Sequence, residues 1–414
     1  MPKIKFENGG DSNLNPENSV RKAGLSREAR GSLGASPGRK DGLGSSAQSN
    51  LNSENPAYLS EQIITYIGNK RALLPFIGGA IAEIKSNLKK DKITFADVFS
   101  GSGVVSRLAK AHASEIYAND LELYSQIINE CYLSNDTPDL REKIEHYRAI
   151  LLGASELKAG FISELYAPKD ESDIRPGERV FFTPRNAKFI DTMRSRIDAF
   201  VPRELRRYFI APLLYEASVH NNTGGVFKGF YKDKNQVGKF GGEGENALSR
   251  IKGEISLPSP VLSRFATHGI VAREDCMDFA RDLPAHDIAY LDPPYNQHPY
   301  GSNYFMLNLI ASYERPREIS DVSGIPTDWN RSVFNQKALA KDAFFELLSA
   351  LKSRYLLISF NNEGFISPEI FERDLAKIGS VSVREQKYNT YRASRNLNSR
   401  NIHVTEYLYI VKKS

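Results

Sequence analysis

Ile93-Thr-Phe-Ala-Asp-Val-Phe-Ser-Gly-Ser-Gly103 is the stretch whose reading decides the fold. Residues 93–99 read as an apolar strand, Ser-Gly-Ser-Gly at 100–103 as a tight turn, and Val104-Val-Ser-Arg-Leu-Ala-Lys110 as the helix that follows. Strand, glycine turn, helix is the opening unit of an α/β sheet. Upstream, Leu73, Leu74, Ile77, Ile81 and Ile84 recur close to a 3.6 period, so residues 70–88 are expected to be a helix with one buried face. Downstream, a short strand at 116–118 ends in Asn119-Asp120 and leads into a helix through Cys131. Further strands are expected at 269–272, 288–291, 355–360 and 406–411, with helical patterns between several of them, such as 344–351. Strands alternating with helices imply a doubly wound, mostly parallel sheet.

The 414 residues exceed what one such sheet needs, and the surplus has a place. Between Phe6 and Tyr58 there is no aromatic residue, and Gly, Ser, Asn and Pro dominate, so residues 1–57 are expected to be a disordered tail, with a start-site artefact as the alternative. Between about 135 and 265 the strand–helix alternation is lost. Helical segments such as 187–200 give way there to a loop rich in Gly, Asn and Lys at 221–245. We read 136–265 as an inserted, mainly helical domain, flanked by the two parts of a sheet-bearing domain at 58–135 and 266–414. Two cysteines, Cys131 and Cys276, exclude a disulfide framework and a Cys-rich zinc site, and no metal is expected. No run of eighteen apolar residues exists to span a bilayer, and the N-terminal stretch lacks the apolar core of a secretory signal, so a cytoplasmic location and no membrane partner are expected.

Gly101 and Gly103 stand just outside the carboxyl end of a strand, where an open α/β sheet presents its ligand crevice. Asp120 ends the next strand, where a carboxylate can accept hydrogen bonds from both hydroxyls of a ribose. Together they suggest an adenosine-containing cofactor; the alternative for the glycines is simple punctuation of the chain. A nicotinamide dinucleotide is a rival, but its Gly-x-Gly-x-x-Gly fingerprint has Ser106 at the third position here.

Ile288-Ala-Tyr-Leu-Asp-Pro-Pro-Tyr-Asn296 is a short apolar strand that stops at two prolines, which hold the chain extended and cannot continue a ladder. A carboxylate (Asp292), a rigid carbonyl (Pro293) and an aromatic face (Tyr295) at the rim of a cofactor crevice could hold a flat heterocycle carrying an exocyclic amine. The bland alternative is a strand terminator with a capping acid and a packed tyrosine.

With these elements in this order, the chain resembles the class D12 DNA adenine N6-methyltransferases of the Dam-like and FokI-methylase-like type. Tyr66-Ile-Gly-Asn-Lys70 is similar to the family's N-terminal motif, Asp97-Val-Phe-Ser-Gly-Ser-Gly103 to its S-adenosyl-L-methionine (AdoMet) turn, and Asp292-Pro-Pro-Tyr295 to its catalytic motif. Asn296-Gln-His-Pro-Tyr-Gly-Ser-Asn-Tyr304 and Ser359-Phe-Asn-Asn-Glu-Gly364 resemble extended signatures of the FokI-type branch. The resemblance implies an AdoMet-dependent fold and cofactor contacts by Tyr66, Gly68, Asn69, Lys70, Asp97, Phe99, Ser100, Gly101, Gly103 and Asp120. It puts Lys70 on the AdoMet carboxylate, Asp97 on its amine, and Asp275 with Cys276 against its adenine ring. It makes Asp292, Pro293, Pro294 and Tyr295 the catalytic set, acting on a base flipped out of the duplex. A cognate restriction endonuclease is the implied partner, beside double-stranded DNA.

DNA contact is expected where basic residues meet aromatics. Lys228, Lys232, Lys234 and Lys239 surround one acid, Asp233, beside Phe227, Phe230 and Tyr231, and Asn222 and Thr223 precede them with side chains able to read base edges. A solvated surface loop is the alternative. Arg384, Lys387, Arg392, Arg395 and Arg400 form a second cluster with Tyr388 and Tyr391, where the family carries a Tyr/Arg-rich segment and this chain reads Tyr391-Arg-Ala-Ser-Arg395. Rival activities are cytosine N4 methylation, methylation of structured RNA, and a non-catalytic DNA-binding protein that keeps the fold.

Overall fold

The computed structural model describes residues 55–61, 63–294, 299–361, 366–389 and 403–414. Seven strands form one sheet: β1 (Ile93–Asp97), β2 (Ala113–Asn119), β3 (His268–Ala272), β4 (His286–Leu291), β5 (Ser353–Asn361), β6 (Gly379–Asn389) and β7 (His403–Lys413). Their order is β3-β2-β1-β4-β5-β7-β6. The first five strands run parallel, β7 lies antiparallel beside β5, and β6 closes the edge antiparallel to β7. This is the expected doubly wound, mostly parallel sheet. From β1 the chain winds outward through β2 to β3, then returns to place β4 on the other side of β1. Ligands bind at such a reversal, outside the carboxyl ends of the two strands.

Both faces of the sheet are covered, so its central strands are mostly apolar, with polar residues at their ends. On one face, helices Leu74–Asn87 and Val104–Ala109 bring Ile77, Ile81 and Leu108 against Phe95, Ile116 and Ile288. On the other, Cys276–Asp282, Ala340–Ala350 and Pro368–Leu375 bring Phe279, Leu347 and Phe371 against Ala96, Leu291 and Ile358. Helix starts follow local chemistry: Thr137-Pro138 and Thr183-Pro184 each put a hydroxyl acceptor before a proline that needs no donor.

Three expectations meet the structure differently. β6 was read only as part of a basic cluster. Its apolar residues are confined to one end, Val381 and Val383, because it is an edge strand whose remainder is polar. Within β6, Arg384 pairs with Glu83. The tail, for its part, lies outside the described residues up to 54, but order begins before residue 58. Asn55 caps helix Pro56–Ser60, and Tyr58 is fully buried, its hydroxyl donating to the Tyr132 carbonyl at 2.5 Å beneath the Arg107 guanidinium.

Residues 136–265 are mainly helical, with helices Pro138–Leu152, Phe161–Tyr166, Pro184–Phe200, Arg207–Val219 and Leu248–Lys252 and no β-strand among the described residues. Their core is not separate: Ile144, Phe181, Ile190 and Phe209 join Tyr124, Ile128, Phe305 and Ile310 of the sheet-bearing part in one cluster. Asp191, 1% exposed, fastens the two. It accepts hydrogen bonds from the backbone N–H groups of Gly160 (2.8 Å), Ile162 (3.1 Å) and Ser163 (2.8 Å), and from the Tyr313 hydroxyl at 2.9 Å. Asp191→Ala strands these buried donors, and we expect a loss of about 2–4 kcal/mol in stability. Chemical denaturation measures it; an unchanged midpoint would contradict the fastening role.

Candidate active site

The crevice at the β1/β4 reversal is a cavity of about 920 Å³, counting the part open to solvent, and the sequence-predicted residues Tyr66, Gly68, Asn69, Lys70, Asp97, Phe99, Ser100, Gly101, Asp120, Asp275, Cys276, Asp292 and Pro294 all line it. The sheet does this work. Asp97 is paired in register with Tyr290, so Asp292, two residues further along β4's direction, projects beyond the same rim.

The glycine turn is shaped by its neighbours. Gly101 (φ 51°) and Gly103 (φ 73°) are left-handed, and a Cβ on Gly103 would stand 2.6 Å from Asn129 Oδ1. A Cβ on Gly101 would meet the Tyr66 ring at 3.0 Å. Asp120 closes the turn: its Oδ2 accepts from Gly101 N–H at 2.8 Å and its Oδ1 from Glu122 N–H at 3.0 Å. Ser100 is spent internally, its hydroxyl donating to the Asn119 carbonyl at 2.9 Å.

Asp97 is 1% exposed. Its Oδ2 accepts from Ser106 Oγ–H at 2.6 Å, while its Oδ1 is buried without a hydrogen-bond partner. Burial, reinforced by the nearby Asp292 and Asp120 charges and opposed by Ser106, pushes its carboxyl up to about 7.

Lys70 opens the short 3₁₀ helix Lys70–Leu73, for which Asn69 is the cap, its Oδ1 accepting from Arg71 N–H at 2.8 Å. The Lys70 ammonium, 4% exposed, lies 3.1 Å from Asp292 Oδ1 and 2.9 Å from Oε1 of Glu406 on β7, so these two protein carboxylates hold it in place of the AdoMet carboxylate that the resemblance implies for it. Glu406 in turn accepts from Ser359 Oγ–H of β5 at 2.5 Å. Asp292 remains 19% exposed toward the crevice. Burial raises its carboxyl to about 6; Lys70 works against that and Glu406 with it.

The remaining walls are aromatic and acidic. The Tyr66 ring packs against those of Tyr300 and Tyr304, at 5.0 and 4.9 Å, which are 5.9 Å from each other, and the Tyr300 hydroxyl donates to the Ile67 carbonyl. Glu122, 3% exposed, has Oε2 held by the side-chain amides of Asn308 (2.5 Å) and Asn330 (3.1 Å), and burial raises its carboxyl to about 7. Asp275 caps helix Cys276–Asp282, accepting from Met277 N–H at 2.8 Å. Burial pushes the Cys276 thiol up to about 12, which suits a packed residue and not a nucleophile. Sequence reading missed Glu122, Glu406 and Asn330, and it took in Tyr300 and Ser359 only as members of the extended signatures, without a role. The available signals were an acid two residues after Asp120 and an acid opening an otherwise apolar strand.

Two expected DNA contacts are corrected. Asn222 and Thr223 are buried, at 0 and 1% exposure. Asn222 Nδ2–H donates to the carbonyls of Val180 (2.9 Å) and Lys239 (3.2 Å), and its Oδ1 accepts from Gly241 N–H (2.9 Å). Thr223 Oγ1–H donates to Asn221 Oδ1 at 2.6 Å. Both side chains hold the loop's shape, which leaves neither free for a base edge. Lys228 and Lys234 are exposed, and Lys232 and Lys239 are half-buried, Lys232 lying 5.3 Å over the Phe230 ring. Tyr295, Tyr391, Arg392 and Arg395 lie outside the described residues, as does the side chain of Tyr388.

A doubly wound sheet with a glycine turn after β1, an acid after β2 and Asp-Pro-Pro after β4 defines a methyltransferase of the α/β class. The family model of the D12 class N6 adenine-specific DNA methyltransferases matches residues 66–323. The type II methyltransferase M.NlaIII of Neisseria lactamica is 29% identical over 365 residues, 85% of this chain and 100% of that protein. M.CviAII of Paramecium bursaria Chlorella virus 1 is 30% identical over 356 residues, 84% of this chain and 98% of that protein. M.FokI of Planomicrobium okeanokoites is 27% identical over 361 residues, 84% of this chain but 52% of that longer protein. The chain belongs to the D12 class N6 adenine-specific DNA methyltransferase family.

Gly103→Ala must force a left-handed φ and displace Asn129, so we expect a loss of about 1–3 kcal/mol in stability. Thermal unfolding checks this, and a variant as stable as the parent would mean that the turn tolerates a side chain.

Proposed function

We propose that this D12 DNA adenine methyltransferase takes its methyl group from AdoMet bound in the β1/β4 crevice and that Asp292 with Pro293 handles the exocyclic amine of a flipped adenine. The observation that carries this reading is the position of Asp292 at the rim that Asp97 and the glycine turn also line. The residues present fit AdoMet. Asp97 offers a buried carboxylate oxygen that lacks a donor, and Asp120, Glu122 and Asp292 give the crevice a negative lining for a cationic ligand. Asp97 would hold its amine, Asp120 its ribose, Phe99 and Cys276 its adenine ring, and Tyr66 and Gly101 would shape the wall. Bound AdoMet supplies an electrophilic methyl group on a sulfonium.

Adenine N6 is a poor nucleophile because its lone pair is delocalised into the ring. The Asp292 carboxylate and the Pro293 carbonyl would accept hydrogen bonds from its two N–H groups and favour a pyramidal nitrogen with an available lone pair; as the N–C bond forms and the sulfur–methyl bond breaks, the carboxylate would take the proton released from N6. Positioning and electrostatics supply the acceleration, without a covalent enzyme intermediate. Tyr295 would stack on the flipped base. Lys228, Lys232, Lys234 and Lys239, with Tyr388, Tyr391, Arg392 and Arg395, would meet the DNA backbone, and residues 136–265 would recognise the target. We infer a restriction-modification setting with a cognate endonuclease, and a cytoplasmic location; the described residues include no helix long and apolar enough to cross a membrane.

Nucleoside mass spectrometry of duplex DNA incubated with protein and AdoMet should give N6-methyladenine, and N4-methylcytosine would overturn the adenine reading. Asp292→Asn should lower kcat at least a hundredfold while AdoMet binding persists; full activity would overturn the catalytic role. Because the base is the ionised carboxylate, kcat/KM, which reports the free enzyme, should be level above about pH 6 and fall about tenfold per unit below it. A single-turnover pH series checks the sign, since activity that rose on acidification would exclude an ionised Asp292.

A further inference from the structure

Glu406 belongs to no motif that the family resemblance rests on, and it lies beyond the residues matched by the family model. Yet it is almost fully buried, at 1% exposure, and its Oε1 takes both the Lys70 ammonium at 2.9 Å and the Ser359 hydroxyl at 2.5 Å. Its place in β7 is fixed on both sides, opposite Asn361 of β5 and Gln386 of β6. The same ammonium is 3.1 Å from Asp292. Two carboxylates thus share one cation in a place poor in water, and what Glu406 holds of Lys70 is not available to Asp292.

From this geometry we infer that Glu406 is a positioning residue for the methyl-transfer reaction: it anchors Lys70 and keeps that ammonium from neutralising Asp292, so that the catalytic carboxylate stays a strong acceptor for the N6 hydrogens. The inference rests on the catalytic role proposed for Asp292. A Lys70–Asp292 pair without Glu406 would be a closed ion pair, its carboxylate engaged by the ammonium and weakened as a base. With Glu406 in place, Lys70 is held as a bridge. It screens the two acids from each other, which lets Asp292 ionise, while its charge is divided between them. Among the described residues, the other titratable groups facing Asp292 are Asp97 of β1 and Tyr290 of β4. Asp97 adds like charge as it ionises, and burial holds the Tyr290 phenol well above its ordinary range, so it stays neutral and contributes no charge.

The test compares the acid limb of kcat, at saturating AdoMet and DNA, in the parent and in Glu406→Gln. Removing the second negative charge should let Lys70 pair with Asp292 alone. The limb should then move down by about one pH unit and the plateau kcat fall about tenfold, with KM for AdoMet changed less than twofold. Ser359→Ala loosens Glu406 without altering its charge, and its limb should stay within about 0.3 units of the parent's. If Glu406→Gln does not fold, the same comparison is made between Lys70→Gln and Lys70→Gln/Glu406→Gln, where loss of the Glu406 charge should again lower the limb. A limb that stays put or rises on removal of the Glu406 charge overturns the inference, as does a Ser359→Ala limb that moves as far. Asp292→Asn separates the two readings: if it is inactive while Glu406→Gln leaves the limb unmoved, only the role of Glu406 fails; if it is active, the role of Asp292 fails.

Discussion

One buried ammonium holds the proposed reaction centre together. Lys70 comes from the N-terminal motif, Asp292 from the end of β4 and Glu406 from the last strand, and their charges meet within 3.1 Å. Taking ions out of water costs several kcal/mol each, and such a cluster persists only when every charge finds a close partner. Here the partners come from three distant parts of the chain, so the site forms only once the sheet is complete to β7. The antiparallel hairpin at the sheet edge is therefore more than a cap. It delivers the carboxylate that fixes Lys70.

The sheet reversal supplies the second constraint. Parallel strands that part at β1 and β4 leave a crevice that no side chain of either strand can fill, and the turn after β1 lines it with glycine. Acids then collect around the crevice: Asp97, Asp120, Glu122 and Asp292. Burial of so many carboxylates without equal positive charge raises their proton affinity and favours a cationic ligand. That fits a sulfonium donor, whose positive charge disappears when its methyl group leaves.

Much of this was legible in the sequence because the chemistry sits at strand ends, where local pattern and ligand position coincide. Asp292 closes an apolar run, Asp120 follows a short strand and Asp97 lies in the first strand just before the glycine turn, and an acid at the carboxyl end of a strand is readable without knowing its neighbours. Glu406 and Ser359 were not readable in this way, since their meaning lies in a contact with Lys70 made only by folding. β6 escaped because an edge strand has little apolar patterning to display. Asn222 and Thr223 were misread for a general reason: a polar side chain in a Gly-rich loop looks the same in sequence whether it faces solvent or satisfies the loop's own backbone. The tail boundary missed Asn55, whose capping bond depends on the helix that follows it.

The shared ammonium makes a direct claim about one carboxyl group in the resting protein. Carbon-13 NMR titration of protein labelled at aspartate Cγ, with the Asp292 signal identified by its loss in Asp292→Asn, reads that group without turnover. The expected result is a titration near pH 6, above the ordinary aspartate range, so that Asp292 is ionised at neutral pH and poised to accept a proton. A signal that titrates near pH 4 or lower would mean that Lys70 neutralises Asp292 in a closed pair, and would contradict the shared-cation site.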